Sequence, residues 1–497
     1  MRNLNGSTSP LRSDSPLVQK CLQEVFELKS LREGQAEVID SVFQGKHTLA
    51  VMPTGAGKSL CFQLPAMVLP GVTIVISPLI ALMKDQKAKL SALEISTLEL
   101  NSFVRAKDRD KERQEFKNGN TEFIYVTPEK FVSEDFLLSM KNIEIDLLVI
   151  DEAHCISQWG HDFRPAYLKI HESWKQLKKP QILALTATAT QEVIEDIKEQ
   201  LCLPELNIFA QNIFRENLFY EAIVLEKEED KIPALENILK LKTGSGIIYC
   251  ATIKQAEAVY EKLHAENFPV YIYHGKMKLD DRVDQRTAFM ASKDGIMVAT
   301  NAFGMGIDKP DTRLVVHFNF PGSLESYYQE SGRAGRDREP AQCILLYLKK
   351  DKATQSFFNA RKYPTLEQLQ SLYSALKAIK NSEELKSLLQ SLSIPKTKLA
   401  VLMDLLKKEG VLGGKGPKLS LMKKDLTTED LKSLFNSYEA KRMKDADKLK
   451  KMILYAQTAL CRWNYILNYF GETELTTVCG NCDNCVKGSS ELKEVYS

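Results

Sequence analysis

The sequence predicts an α/β protein: two tandem lobes, each built on a parallel sheet, followed by a mostly α-helical C-terminal region that carries a zinc-binding module. Three observations predict it. Short β-branched runs alternate with amphipathic helical stretches in two successive series, separated by a charged break. After about Lys352 the pattern changes to Leu/Lys/Ser-rich helical periodicity without buried-strand runs. Four of the ten cysteines gather near the C-terminal end.

The first series comprises His47–Met52, Val72–Ser77, Glu122–Val126, Asp146–Ile150 and Gln181–Thr186. These runs are apolar on both faces and separated by helices, as in a parallel sheet covered on both sides. The break falls at Glu226-Lys227-Glu228-Glu229-Asp230. The alternation then restarts with Gly246–Cys250, Pro269–Tyr273, Gly295–Ala299, Arg313–Phe318 and Cys343–Leu348. The lobes are therefore assigned to residues 17–225 and 226–352. Residues 1–16 are polar and Ser-rich without an apolar core, a disordered lead-in rather than a signal peptide. Residues 353–435 hold a helix, a second helix (Leu399–Lys408), a glycine-rich turn (Gly410–Gly416) and a short strand (Pro417–Leu421). That order suits a winged helix, and a generic helical connector accounts for it equally well. Residues 436–497 form the zinc-binding helical module and tail.

A chain of 497 residues exceeds a single core. Its 44% hydrophobic and 27% charged fractions are those of a soluble globular protein. No run approaches the roughly 18 apolar residues of a membrane span, so no membrane partner is expected. Cys21, Cys61, Cys155, Cys202, Cys250 and Cys343 are scattered singly and read as buried free thiols of a reducing cytosol, with a bacterial cytosol or nucleoid the expected location. Net charge is only +2, yet residues 361–460 hold 20 Lys and Arg against 11 acids. That excess is either a solvated helical surface or a nucleic-acid face.

Chemistry enters at Pro53-Thr54-Gly55-Ala56-Gly57-Lys58-Ser59, between a strand and an apolar helix. Thr54, Gly55, Ala56 and Gly57 let the backbone wrap phosphates; Lys58 supplies charge for the β/γ-phosphates of ATP and Ser59 a hydroxyl for Mg²⁺. The full phosphate-loop pattern lacks its first glycine, since Met52 stands there. About 90 residues on, an apolar strand ends in Asp151-Glu152-Ala153-His154. Asp151 suits Mg²⁺ and Glu152 the orientation and deprotonation of an attacking water. In the second lobe, Gly332-Arg333-Ala334-Gly335-Arg336 sets two arginines three residues apart, able to neutralise a transferring γ-phosphoryl group. The loop Ser157–Tyr167 contains Trp159, His161, Phe163 and Arg164, where rings can stack on bases and the guanidinium can meet phosphate.

This motif series resembles that of superfamily-two helicases, specifically the RecQ family, over about residues 20–350. The resemblance implies RecA-like lobes. Leu31–Gln35 is similar to the family's adenine-reading motif, implying roles for Arg32 and Gln35. Ser77–Gln86 and Val126–Glu129 resemble the first lobe's DNA-backbone motifs, and Leu185–Ala189 the motif coupling hydrolysis to movement. Ala299–Lys309 and the Arg333/Arg336 motif match in the second lobe, implying DNA contacts at Ser77 and Thr300. The tetrapeptide at 151–154, His154 included, also occurs in RNA helicases. The loop Trp159–Arg164 is similar to the RecQ aromatic-rich loop, implied to sense single-stranded DNA and signal the ATP site.

Cys461, Cys479, Cys482 and Cys485 supply four thiolates, three at turn-like spacing, which indicates tetrahedral Zn²⁺ with disulfides as the alternative. Cys461-Arg462 and Asn468–Glu472 resemble the RecQ zinc-binding subdomain. Two departures stand out. The family's winged helix usually follows that subdomain, whereas this sequence reaches Ser497 soon after Cys485, so none is expected there. Ile253 also stands where the family generally has a basic residue. The resemblance implies an ATP-, Mg²⁺- and Zn²⁺-containing DNA helicase moving 3′-to-5′ on single-stranded DNA and tailed duplexes, in repair or recombination. A DNA-stimulated translocase or remodeller and a passive nucleic-acid-binding protein are the alternatives.

Overall fold

The computed structural model describes residues 11–100, 121–157, 164–203, 205–304, 307–353, 355, 363–378, 392, 394–413, 420–473, 475 and 478–486. It divides into two compact units. One comprises Met1–Phe320, Glu325–Tyr347 and Tyr455–Ser497; the other comprises Pro321–Leu324 and Leu348–Leu454.

The larger unit contains both lobes. In the first lobe the strands are β1 (Thr48–Val51), β2 (Val72–Ile76), β3 (Thr97–Leu100), β4 (Phe123–Val126), β5 (Ile145–Ile150), β6 (Gln181–Thr186) and β7 (Asn207–Ala210). They pair wholly in parallel, in the order β3-β4-β2-β5-β6-β1-β7. Side chains alternate between two cores. Leu49, Val51, Ile74, Ile76, Leu148 and Ile150 enter one, while Ala50, Met52, Val75, Leu147 and Val149 enter the other. Period-two alternation with both phases apolar is what a sheet buried on both faces requires.

The second lobe holds β8 (Leu218–Leu225), β9 (Ser245–Tyr249), β10 (Val270–Tyr273), β11 (Ile296–Ala299), β12 (Thr312–His317) and β13 (Ala341–Leu348), in the order β10-β11-β9-β12-β13-β8. Strand β8 corrects the expected boundary at 225: the second sheet already begins at Leu218. In β8 Leu218, Tyr220 and Ala222 are buried while the residues between them are partly exposed. That half-buried edge pattern lacks the continuous apolar run of the other strands. The edge strands β3 and β7 escaped the sequence pattern for the same reason.

The smaller unit has helices Leu366–Ala378 and Lys396–Lys408, then an antiparallel hairpin of β14 (Leu412–Gly413) and β15 (Ser420–Leu421). Leu369, Leu372, Leu402, Leu406 and Val411 share a core with Leu431 and Phe435. The turn 414–419 lies outside the described residues. The expected boundary at 435 falls inside one helix, Thr428–Gln457. Leu431 and Phe435 assign its first turns to this unit, and the division comes after Leu454. Among the described residues no helix is long and apolar enough to cross a membrane.

Leu148 is fully buried at the centre of β5. Leu148→Ala should lower unfolding free energy by about 2–5 kcal/mol, measured by chemical denaturation; a loss below about 1 kcal/mol would contradict the two-faced core.

Candidate active site and metal centre

Strands β5, β6 and β1 are neighbours and point the same way, so the loops after them share one edge. That edge receives Asp151 and Glu152 from β5, the Thr186 segment from β6 and the phosphate loop from β1. Ligands of open parallel sheets bind at such carboxyl ends. A cavity of about 470 Å³ opens there. Arg32, Thr54, Gly55, Gly57, Lys58, Ser59, Asp151 and Glu152 line it from the first lobe, and Asp308, Gln329, Arg333 and Arg336 from the second.

The phosphate loop turns through Gly55 (φ +89°) and Gly57 (φ +82°). A Cβ at Gly57 would lie 2.6 Å from Gln35 Nε2, so the loop fits against that side chain only as glycine. Gln35, 1% exposed, donates from Nε2 to the carbonyls of Ala56 (3.1 Å) and Gly57 (2.9 Å), while its Oε1 accepts from Arg32 N (2.7 Å). Arg32 Nη1 donates to Gly55 O. The adenine-motif residues thus brace the loop directly. Lys58 Nζ donates to Met52 O at 3.1 Å. Burial pulls its pKa down, while Glu152 and Asp151 hold it up.

Asp151 Oδ1 accepts from Glu152 N (3.0 Å), and its Oδ2 accepts from Ser77 Oγ (3.4 Å). Tyr167 OH donates to Asp151 O at 3.0 Å. Glu152 holds left-handed backbone at φ +50°, an uncommon conformation for a side-chain-bearing residue. Its carboxylate lies 3.4 Å from His154 Nδ1, which is 3.0 Å from Thr186 Oγ1. Thr186 Oγ1 donates onward to Thr188 O (3.2 Å). The acid pair is therefore joined through His154 to the motif on β6.

The second lobe closes the cleft with charge. Arg333 is 4% exposed. Arg336 Nη1 meets Asp308 Oδ1 at 2.9 Å, and Asp308 Oδ2 also meets Lys89 Nζ of the first lobe at 2.7 Å. Burial pushes the Asp308 carboxyl up, but Arg336 and Lys89 outweigh it and hold it at about 2. Arg286 to Asp85, at 3.2 Å, is another ion pair across the lobes.

The other expected DNA residues divide. Ser77 is buried, its hydroxyl turned to Asp151 rather than to an open surface. Thr300 is buried as well, with Oγ1 accepting from Ala302 N (3.4 Å). Arg164 Nη1 donates to Pro78 O at 3.0 Å, tying the end of the aromatic loop to the residue after Ser77. Trp159, His161 and Phe163 lie outside the described residues. Lys89 and Arg215 were not singled out in the sequence. Lys89 bonds a partner 219 positions away and Arg215 one 117 positions away, which no local pattern records.

Cys461, Cys479, Cys482 and Cys485 bring their sulfurs within 4.8 Å of one another. Zn–S bonds of about 2.3 Å in a tetrahedron require sulfurs about 3.8 Å apart; Cys479 and Cys485 stand at 3.7 Å. Four soft donors at this spacing fit Zn²⁺. Cys461 also caps the helix Arg462–Phe470, its sulfur accepting from Asn464 N. The buried Arg462–Asp483 pair (Nη2 to Oδ2, 2.8 Å) braces the cluster. The module docks on β8: Ala222 N donates to Asp483 Oδ2 (3.2 Å), Tyr220 N to Asn481 O (3.1 Å) and Trp463 Nε1 to Leu218 O (3.2 Å).

Comparison with known proteins agrees with this geometry. Residues 32–197 match the DEAD/DEAH box helicase family, 230–338 the helicase conserved C-terminal domain and 421–486 the RecQ zinc-binding family. The chain is 36% identical over 469 residues to the ATP-dependent DNA helicase RecQ of Bacillus subtilis (strain 168). That match covers 94% of this chain and 66% of the relative, just under two thirds of its length. It is 34% identical over 463 residues to the probable ATP-dependent DNA helicase RecS of the same organism, covering 92% of this chain and 89% of that protein. Among solved structures, the DEAD-box helicase Mss116 bound to ssRNA and UDP-BeF shares the fold, with a TM-score of 0.59 at 16% identity over 91% of this chain and 90% of that one.

Metal analysis should find about one Zn²⁺ per chain, with Cys482→Ser losing it and melting at lower temperature; a metal-free but equally stable native protein would refute the centre. A second prediction concerns pH. Burial, reinforced by Glu152 and opposed by Lys58, pushes the Asp151 carboxyl up to about 7. The unfolded value is near 4, so between about pH 4 and 7 the folded protein keeps a proton that the unfolded chain releases. Stability of the nucleotide-free protein therefore falls as pH rises through that window. Asp151→Asn should flatten this slope and raise the melting temperature above pH 7; an undiminished slope in the variant would show that another group is responsible.

Proposed function

Because the chain belongs to the RecQ family of superfamily-two helicases, we propose that it is an ATP-dependent DNA helicase moving 3′-to-5′ on single-stranded DNA and unwinding tailed duplexes. The observation that carries this reading is the single cleft in which the phosphate loop and acid pair of one lobe face Arg333 and Arg336 of the other. Catalysis that depends on closing two lobes lets each hydrolysis cycle drive one opening and one closing.

In this reading Arg32 and Gln35 hold the adenine end of ATP, and Thr54 through Lys58 cradle the phosphates. Ser59 and Asp151 are the residues that would hold Mg²⁺, which when bound screens the β/γ-phosphate charge. Glu152 accepts the proton of the attacking water, with His154 restraining its carboxylate. Lys58 exchanges its Met52 carbonyl for phosphate oxygens, and Arg333 and Arg336 meet the charge that develops on the γ-phosphoryl group. Trp159, His161, Phe163 and Arg164 contact single-stranded DNA by stacking and phosphate pairing. The Arg164–Pro78 hydrogen bond supports a route from that loop to Ser77 and so to Asp151. Thr300 is assigned to a DNA contact in the second lobe by its place in the family's motif. A place in DNA repair or recombination within a bacterial cytosol accords with the family and with thiols kept free of disulfides.

Glu152→Gln should reduce DNA-stimulated ATP hydrolysis by about 10²- to 10⁴-fold, measured with and without single-stranded DNA alongside strand displacement on a 3′-tailed duplex. Unchanged hydrolysis would displace Glu152 from its role. Stimulation without displacement would make the protein a translocase, and no stimulation of the unmutated protein a passive binder.

A further inference from the structure

Arginines that act across a cleft must be aimed, and the turn carrying Arg333 and Arg336 has little with which to aim itself. Two of its residues are glycines, and Gly335 takes φ +54°. Its shape is fixed from outside, by the segment that enters the second lobe before β8. Arg215 Nη1 donates to Gly332 O at 3.0 Å; its Nη2 donates to Ala334 O at 2.9 Å and also to Gly335 O. Asn217 Nδ2 donates to Gly335 O (2.8 Å) and Glu339 O (2.9 Å), and its carbonyl accepts from Ala341 N (2.9 Å). A guanidinium spent on three carbonyls has its fork turned to the turn's backbone, not to the nucleotide cavity, and Arg215 is not among the residues lining that cavity.

We propose that Arg215 is a positioning residue for hydrolysis: it locks the Gly332–Gly335 turn so that Arg333 and Arg336 face the transferring phosphoryl group. The assignment rests on the reading of those two arginines given above. It explains why a guanidinium is placed where, among the described residues, its hydrogen bonds go to backbone oxygens. A fork rigid enough to span several acceptors specifies geometry as well as charge, which the point charge of lysine does not. The same segment is anchored at both ends. Tyr328 OH donates to Ile213 O (2.8 Å), and Tyr220 OH bonds Ser331 Oγ (2.8 Å), one residue before the turn. Movement of this segment between the lobes therefore reaches both arginines.

The test is a kinetic double-mutant cycle on the full chain with ATP, Mg²⁺ and single-stranded DNA. Arg215→Ala should lower kcat about 10- to 100-fold while KM for ATP and the affinity for a non-hydrolysable analogue stay within about threefold. Added to Arg333→Ala and Arg336→Ala together, it should cost less than about twofold more. A full multiplicative loss on that background, or a loss confined to KM, overturns the proposal. So does an unchanged kcat in Arg215→Ala when Arg336→Ala is impaired. Hydrolysis unchanged in Arg333→Ala and Arg336→Ala together would instead overturn the reading of the arginines themselves. Should Arg215→Ala not fold, Arg215→Lys and Asn217→Ala take its place in the same cycle and are judged by the same non-additivity.

Discussion

The parallel pairing of β5, β6 and β1 is the constraint on which the rest depends. Their buried middles are apolar on both faces, so charge is kept to the strand ends. Because the three run the same way, those ends coincide. Lys58, Asp151 and Glu152 are thereby forced into one partly dry space, where Glu152 and Lys58 act on the Asp151 carboxyl and both acids act on the Lys58 ammonium. Burial opposes the charge on Asp151 and on Lys58 alike, and each partly restores the other's charge. The site is a balance of buried charges set by topology before any ligand arrives.

The second lobe completes that balance from across the cleft. Arg336 is met by Asp308, and Asp308 also by Lys89 of the opposite lobe, so one carboxylate spans two cations from different lobes. Such pairs are strongest where water is scarce and weaken as the cleft opens. The zinc module adds a further brace without lining the nucleotide cavity. It grips β8, whose Tyr220 bonds the end of the helix before the arginine turn. Cysteine module, strand and arginine turn thus form one mechanically continuous path.

How far this could be read from the sequence follows from the range of each interaction. The phosphate loop, the acid pair and ten of the strands were legible because they are local: a run of apolar residues, a glycine turn, two adjacent acids. The four cysteines were legible because their spacing is itself the signal. Edge strands β3, β7 and β8 were hidden by half-exposure, and the boundary at 225 failed with β8. Ser77 was matched to a DNA motif, but its hydroxyl is turned to Asp151, a contact 74 positions away. Arg215 stands 117 to 120 positions from the carbonyls it holds. Nothing near Arg215 in the sequence separates it from a solvated surface arginine.

The clasp on β8 also has a consequence for biosynthesis. Ile213 is held by Glu472, 259 positions later, and Ala222 by Asp483, 261 positions later. At about 5–20 residues per second, the strand would wait roughly 13 to 52 s on the ribosome for its partners. During that interval Phe214 and Tyr220 lack the Trp463 ring that packs edge-on against both. A nascent chain would thus carry an aromatic patch on its second lobe that stays uncovered until the last segment emerges.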